Sequence, residues 1–229
     1  MKKFILTMTI MTLFVKTAFS AALTGKVNFT GTAPASETLS MNADPSCAAA
    51  HPEPVYAETV VANDNGTLRN VFVYVKTGLE GQTFPAPQAS VTIDQKGCQY
   101  LPHVFGIQVG QTLEIVNSDP TLHNIHSLAK QSKQFNLGMP IQGMKFTKKF
   151  ENSEIMVKMK CDVHPWMSAY IGVLPHPFYG VSGTDGTFTI KDLPPGEYTI
   201  EAWHEKYGSQ TQNVTVGEED TTVDFTFAG

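Results

Sequence analysis

The stretch Glu154-Ile-Met-Val-Lys-Met-Lys160-Cys161-Asp-Val-His164-Pro-Trp-Met167 decides how this chain is read. Its first half alternates: Ile155, Val157 and Met159 fall on one face of an extended strand, and Met156, Lys158 and Lys160 on the other, the period of a half-buried strand. Its second half, CDVHPWM, sets a thiol, an imidazole and a thioether at intervals of three where that strand ends. A plain reading has the loop packing a small thiol, a surface histidine and a core methionine. The sharper reading is that a rigid strand presents three-quarters of a metal site.

Outward from this stretch, short alternating segments recur: LTGKVNFTG, NVFVYVKT, TLEIVNS, TFTIKD, EYTIEAW and VDFTF, each bounded by Gly, Pro, Asn or Asp. Past the first residues no long run carries helical periodicity, so the chain reads as all-β. Asn65-Gly66 and Asp185-Gly186 are hairpin-turn signals, and Leu193-Pro-Pro-Gly196 is a turn feeding the next strand. Gln134 to Phe146 reads as a loop without a period. A chain of 229 residues, 41% hydrophobic, can bury one substantial core or two small ones. A change of character past Pro175 favours two, because turn signals there recur at the spacing of a small sandwich.

The first residues combine Lys2 and Lys3, an apolar run from Phe4 to Val15 and small residues at Ala18, Ser20 and Ala22, which reads as a secretory signal peptide over residues 1–22. Thr7, Thr9, Thr12 and Lys16 interrupt the run, which is too short for a membrane anchor. The mature chain is therefore expected to be periplasmic or otherwise exported, with no integral membrane span. Cleavage would take Lys2, Lys3 and Lys16 from a chain whose formal charge is already −5, which argues against nucleic acid and for basic protein partners. Export also pairs spare thiols. With Cys161 in the donor loop, Cys47 and Cys98 remain, and a disulfide between them is expected. A competing reading joins them to His51 and His103, which follow at four and five residues, as a second metal site.

Further upstream the strand TLEIV runs into Asn117-Ser-Asp-Pro-Thr-Leu-His123-Asn-Ile-His126. Taken with Cys161 to Met167, this pair of loops resembles the copper-binding cupredoxins, with the two-residue gaps of amicyanin rather than the longer His-to-Met gap of plastocyanin. The resemblance covers roughly residues 100 to 175. It implies a Greek-key β-sandwich, drawn here as residues 23–175 with an N-terminal elaboration. It also implies a type 1 copper centre with His123, Cys161, His164 and Met167 as ligands, and Asn124 tethering the two loops. The chain departs from amicyanin in Trp166, where a Phe stands, and in the elaboration carrying Cys47 and Cys98. Past the boundary, DGTFTIKDLPPGEYTIEAW resembles the carboxypeptidase regulatory-like domain, a transthyretin-like and carbohydrate-binding-like β-sandwich, over residues 176–229. That tail is short for a free-standing sandwich and is expected to borrow LTGKVNFTG as a strand. The whole arrangement resembles exported proteins of the methylamine-utilization type.

Two imidazoles, a thiolate and a weak axial thioether are the donor set of a blue copper centre. Structural zinc sites do not use thioethers, and iron–sulfur clusters need more thiolates. With every position on a single Cu(I)/Cu(II) ion taken by protein, no place is left for a substrate, so the expectation is electron transfer and not enzyme catalysis. A redox partner such as a c-type cytochrome or a dehydrogenase would dock around Pro165 and Trp166, where His164 is expected to present its imidazole edge. The alternatives are a periplasmic copper carrier or holding protein, and a cell-surface binding module whose C-terminal sandwich contacts glycan, the last resting on fold analogy alone. His126 is expected near the centre or at the surface, His176 and His204 in solvent, Met139 and Met144 as fillers of apolar gaps, and Tyr198 and Trp203 in a sandwich core.

Overall fold

The computed structural model describes residues 21–229; the expected signal peptide lies, but for its last two positions, outside the described residues. In chain order the elements are β1 (Ala21–Thr30), α1 (Pro45–Ala50), β2 (Phe72–Thr77), β3 (Val91–Lys96), β4 (Gln99–Leu101), β5 (Val104–Gln108), β6 (Leu113–Asn117), β7 (His123–Ser127), β8 (Asn136–Met139) and β9 (Lys145–Lys148). There follow β10 (Glu154–Lys160), β11 (Ser168–Leu174), β12 (Tyr179–Val181), β13 (Thr187–Leu193), β14 (Gly196–His204), β15 (Gly208–Val216), β16 (Thr221–Thr222) and β17 (Phe225–Ala228). The chain is all-β, as its alternation predicts, with one short helix among the described residues.

Two sandwiches follow from these strands. In the first, a sheet ordered β5-β11-β10-β7-β8 faces one ordered β4-β3-β6-β9, and Ile93, Tyr100, Ile107, Ile115, Ile125, Phe150, Val157 and Ile171 fill the space between them. β5 pairs β11 and β3 pairs β6 in parallel, so distant parts of the sequence close this unit. In the second, β12-β2-β14-β15 faces β13-β1-β16, with β17 also on β1. LTGKVNFTG does join it, antiparallel to β13 and parallel to β17. Gly25 of β1 has no room for a side chain, since a Cβ there would lie 1.8 Å from the Val223 carbonyl oxygen.

A second N-terminal strand is shared in the same way. β2, which lies N-terminal to the boundary drawn at residue 175, pairs β12 and β14. Its residues Phe72, Val73, Tyr74 and Val75 are all buried because it is covered on both faces. Val73 and Val75 enter the core of the second sandwich, while Phe72 and Tyr74 face the first. Where the sandwiches meet, Gly172 of β11 pairs Gly106 of β5, and the two form a flat patch. Phe72 lies on Gly172 and Tyr179 on Gly106, each ring 2.3 Å from where a Cβ would stand, and the two rings stack with centroids 5.4 Å apart. A buried pair, His103 Nε2 to Glu205 Oε1 at 2.6 Å, closes the same junction.

Two local readings need correction. The alternation of EIMVKMK is broken by a bulge between Glu154 and Val157: Met156 takes a φ of 61° and turns into the junction, and Ile155 is exposed instead. The segment from Gln134 to Phe146 is not all loop, because β8 pairs β7 and the start of β9 pairs β6. Both are short edge strands whose order comes from their neighbours and not from a pattern of their own.

Candidate metal centre

β6 ends at Asn117, whose side chain shapes the loop after it: Nδ2 donates to the Thr121 and Met139 carbonyls at 3.0 and 2.7 Å, and Oδ1 accepts from the Asp119 amide at 3.0 Å. His123 follows as the first residue of β7 and is fully buried. Cys161 directly follows β10, and β11 begins at Ser168, so the loop between them has seven residues' worth of backbone fixed at both ends. Inside it the Cys161 amide donates to the Met167 carbonyl at 3.2 Å and the Met167 amide to the His164 carbonyl at 3.0 Å.

These loops bring three donors together. The Nδ1 atoms of His123 and His164 are 2.9 Å apart, and Cys161 Sγ lies 3.9 Å from His164 Nδ1. All three residues are buried, and their donor atoms fall within 4.8 Å of one another. Met167 is buried in the same apolar cluster as Cys161. Asn124 sits between the loops: its Oδ1 accepts from the amides of Asp162 at 2.7 Å and Val163 at 3.3 Å and from the Cys161 thiol at 3.3 Å, while its Nδ2 reaches Asn136 and Asp162. His126 stands away from the cluster and pairs Asp162 at 3.0 Å.

A lid from the N-terminal elaboration covers this end. Asp44 caps α1, accepting from the Ser46 and Cys47 amides through Oδ1, and its Oδ2 accepts from Thr121 Oγ1 at 3.0 Å and lies 3.1 Å from His164 Nε2. Across the site Asp119 Oδ2 is 2.9 Å from His123 Nε2, and Asp119 is itself held by the Gly97 and Cys98 amides. Cys47 and Cys98 form the expected disulfide, with Cα atoms 5.6 Å apart. The bridge lies against the site: Cys47 Sγ is 3.8 Å from His164 Nε2, and the Cys98 carbonyl accepts from Trp166 Nε1 at 3.0 Å. The competing site is thereby dismantled, since its cysteines are joined, His51 Nε2 is engaged by the Gly97 carbonyl and His103 by Glu205.

Residues 173–228 match the carboxypeptidase regulatory-like domain family. No curated protein sequence matches the chain. Among solved structures it is similar to a purple cupredoxin from Nitrosopumilus maritimus, at 28% identity over 36% of this chain and 98% of that one, TM-score 0.32. It is similar also to a Cu(I) amicyanin variant, at 19% identity over 42% and 96%, TM-score 0.33. A copper-containing nitrite reductase from Thermus scotoductus SA-01 aligns at 22% identity, TM-score 0.35, over 40% of this chain but only 25% of its own length.

The electrostatics of this end follow from its hydrogen bonds. Burial disfavours a charged Asp44, but bonds from Thr121, His164 and two amides outweigh it and hold the carboxyl down at about 2. Asp119 is lowered for the same reason, with His123 its main partner against burial. Burial also opposes a charged His123, yet Asp119 and Cys161 lift it to about 9, and bonds from His123 and nearby amides lower the Cys161 thiol against its own burial. The two imidazole nitrogens, 2.9 Å apart beside a thiol, thus enclose a place that favours positive charge.

Three expectations fail here for one reason, burial. His164 does not present an imidazole edge: it is 2% exposed, with Asp44 and Cys47 over it. Pro165 is exposed and Trp166 half-buried, its indole tied to Cys98. His176 and His204 are not solvated but buried in or beside the second sandwich. Tyr198 is core, and Trp203 is half-buried at the junction. Asp44 and Asp119 are the residues that sequence reasoning passes over. Asp44-Pro45-Ser46 carries a helix-start signal, and Asp119 stands four residues before His123.

Among the described residues no helix is long and apolar enough to cross a membrane.

Proposed function

We propose that this chain is an exported protein that holds one copper ion on His123, Cys161, His164 and Met167 and passes single electrons to and from redox proteins. The observation that carries this reading is the convergence of two imidazole Nδ1 atoms and a thiol, all buried, on loops anchored by strands. That donor set suits copper, which when bound supplies a one-electron Cu(II)/Cu(I) couple. The chain's own part is to keep the donors in place: β7, β10 and β11 fix the loop ends, Asn124 ties the loops together, and the lid excludes water. A site that moves little between oxidation states suits electron transfer, and a full protein donor set argues against turnover of a substrate.

A copper-holding role is the second reading, favoured by the lid itself, since Asp44 and Cys47 cover the imidazole that a partner would otherwise meet. Stopped-flow mixing of the Cu(I) protein with an oxidised c-type cytochrome, alongside release of Cu(I) to a chelator, separates the two. Electron transfer in milliseconds to seconds with copper retained for hours supports the shuttle. Slow electron transfer with ready release supports holding, and failure to bind copper at all removes both.

A further inference from the structure

Resting on the copper reading, we infer that Asp44 and Asp119 are positioning residues that fix the tautomer of both imidazoles, so that each ring turns a bare Nδ1 toward the metal. An ionised carboxylate only accepts hydrogen bonds. Asp119 Oδ2 at 2.9 Å from His123 Nε2 and Asp44 Oδ2 at 3.1 Å from His164 Nε2 therefore require a proton on each Nε2. That leaves Nδ1 of each ring as the atom facing the site: in the metal-free protein the His164 Nδ1 lone pair accepts the proton on His123 Nδ1 across 2.9 Å, and a bound metal would displace that proton. The two carboxylates cannot drift, because Asp119 is held by the Gly97 and Cys98 amides and Asp44 by the Ser46 and Cys47 amides and Thr121. Cys98 and Cys47 are the two ends of the disulfide, so a single covalent bond registers both carboxylates against both rings.

The arrangement has a further consequence for the metal. Carboxylate partners strengthen imidazole donors, and groups in this position are typically worth about 10- to 100-fold in metal affinity. The lid is thus not only a cover: it carries one of the two groups that prepare the site.

Asp44→Asn separates positioning from a merely structural role. Asparagine is as good a helix cap, so its Oδ1 keeps the Ser46 and Cys47 amides, but an NH2 group then faces His164 Nε2 and demands a lone pair there. Long-range proton–nitrogen correlation NMR of the metal-free protein at neutral pH should show Nε2–H on His164 in the native chain and Nδ1–H in Asp44→Asn. Cu(I) affinity, measured by competition with a colorimetric chelator, should fall about 10- to 100-fold in the variant while its thermal stability stays close to native. Thr121→Val removes a different bond to the same oxygen and should keep the native tautomer. Nδ1–H on His164 in the native protein, or Asp44→Asn with native tautomer and native affinity, overturns the assignment. The tautomer is read without metal, so a native chain that binds no Cu(I) would sink the copper reading and still leave the NMR result to decide this one.

Discussion

The two sandwiches share an architecture and differ in what they bury. The second fills its interior with Phe188, Phe225, Phe227, Val73, Ile190 and Ile200, and the buried histidines at its border, His176 and His204, are pressed toward the neutral state by desolvation. The first keeps an apolar middle but gathers His123, His164, Cys161, Asp119 and Asn124 at one end, where each polar atom is matched to another. One sandwich is insulated and the other is wired at its tip. The difference shows that a β-sandwich middle is interchangeable packing, while chemistry resides in loops that the strands hold still.

Core truncation should hit the second sandwich hardest. Phe225→Ala removes a fully buried ring against Phe188 and should cost about 3–5 kcal/mol, read as a lowered denaturation midpoint, while metal bound by the folded fraction is unchanged. A loss of metal affinity as large as the loss of stability would erase the distinction between the two units.

Next in size is the clasp of the lid. Cys47→Ala with Cys98→Ala opens a loop spanning 51 positions, worth up to about 4 kcal/mol in the chain-entropy account. Because the bridge touches His164, copper should also be released faster to a chelator. Unaltered release would mean that the lid stays shut without its disulfide.

At the junction, Gly172→Val places side-chain atoms where Phe72 lies and should cost about 1–3 kcal/mol by overpacking. Broader separation of the unfolding transitions of the two units in calorimetry would show that they had been pried apart. A native-like single profile would mean that the glycine patch is not what seats Phe72.

The smallest effects are those of pH on the metal-free protein, and they have opposite signs for His123 and His204. The folded pKa of His123 is raised to about 9, so its contribution is fully present below the ordinary value near 6.5 and is lost as pH rises through 9. That of His204 is lowered to about 4, mainly by burial, so its contribution is present above 6.5 and is lost as pH falls through 4. Denaturation midpoints of His204→Phe should lack the fall between about pH 6.5 and 4, keeping the alkaline limb and the loss at lower pH to which Asp44 and Asp119 contribute. An unchanged fall over that range would place that sensitivity elsewhere.

How much of this was legible beforehand follows the same division. The strands were visible because alternation is local: Phe225 and Phe227, or Tyr198 and Ile200, lie two apart and face the same way. Cys161, His164 and Met167 were visible because their spacing lies within one loop. The pairing of β2 is not legible in the sequence, because its partners, β12 and β14, are about a hundred residues distant and a strand buried on both faces carries no alternation to orient it. The lid was invisible for a similar reason: that Asp44 meets His164, 120 positions on, is decided by the folding of the elaboration and not by any pattern near either residue. The bulge at Met156 was missed because one positive φ undoes a regular alternation without altering the composition.

The central claim is that the wired end of the first sandwich is a thiolate copper centre, and a visible absorption spectrum tests it most directly. The purified protein, loaded with one equivalent of Cu(II), should be intensely coloured through charge transfer from the Cys161 thiolate, and Cys161→Ser should be colourless at the same copper loading. A native protein that binds copper in equal amount and shows no such absorption, or one whose colour survives Cys161→Ser, would contradict the account.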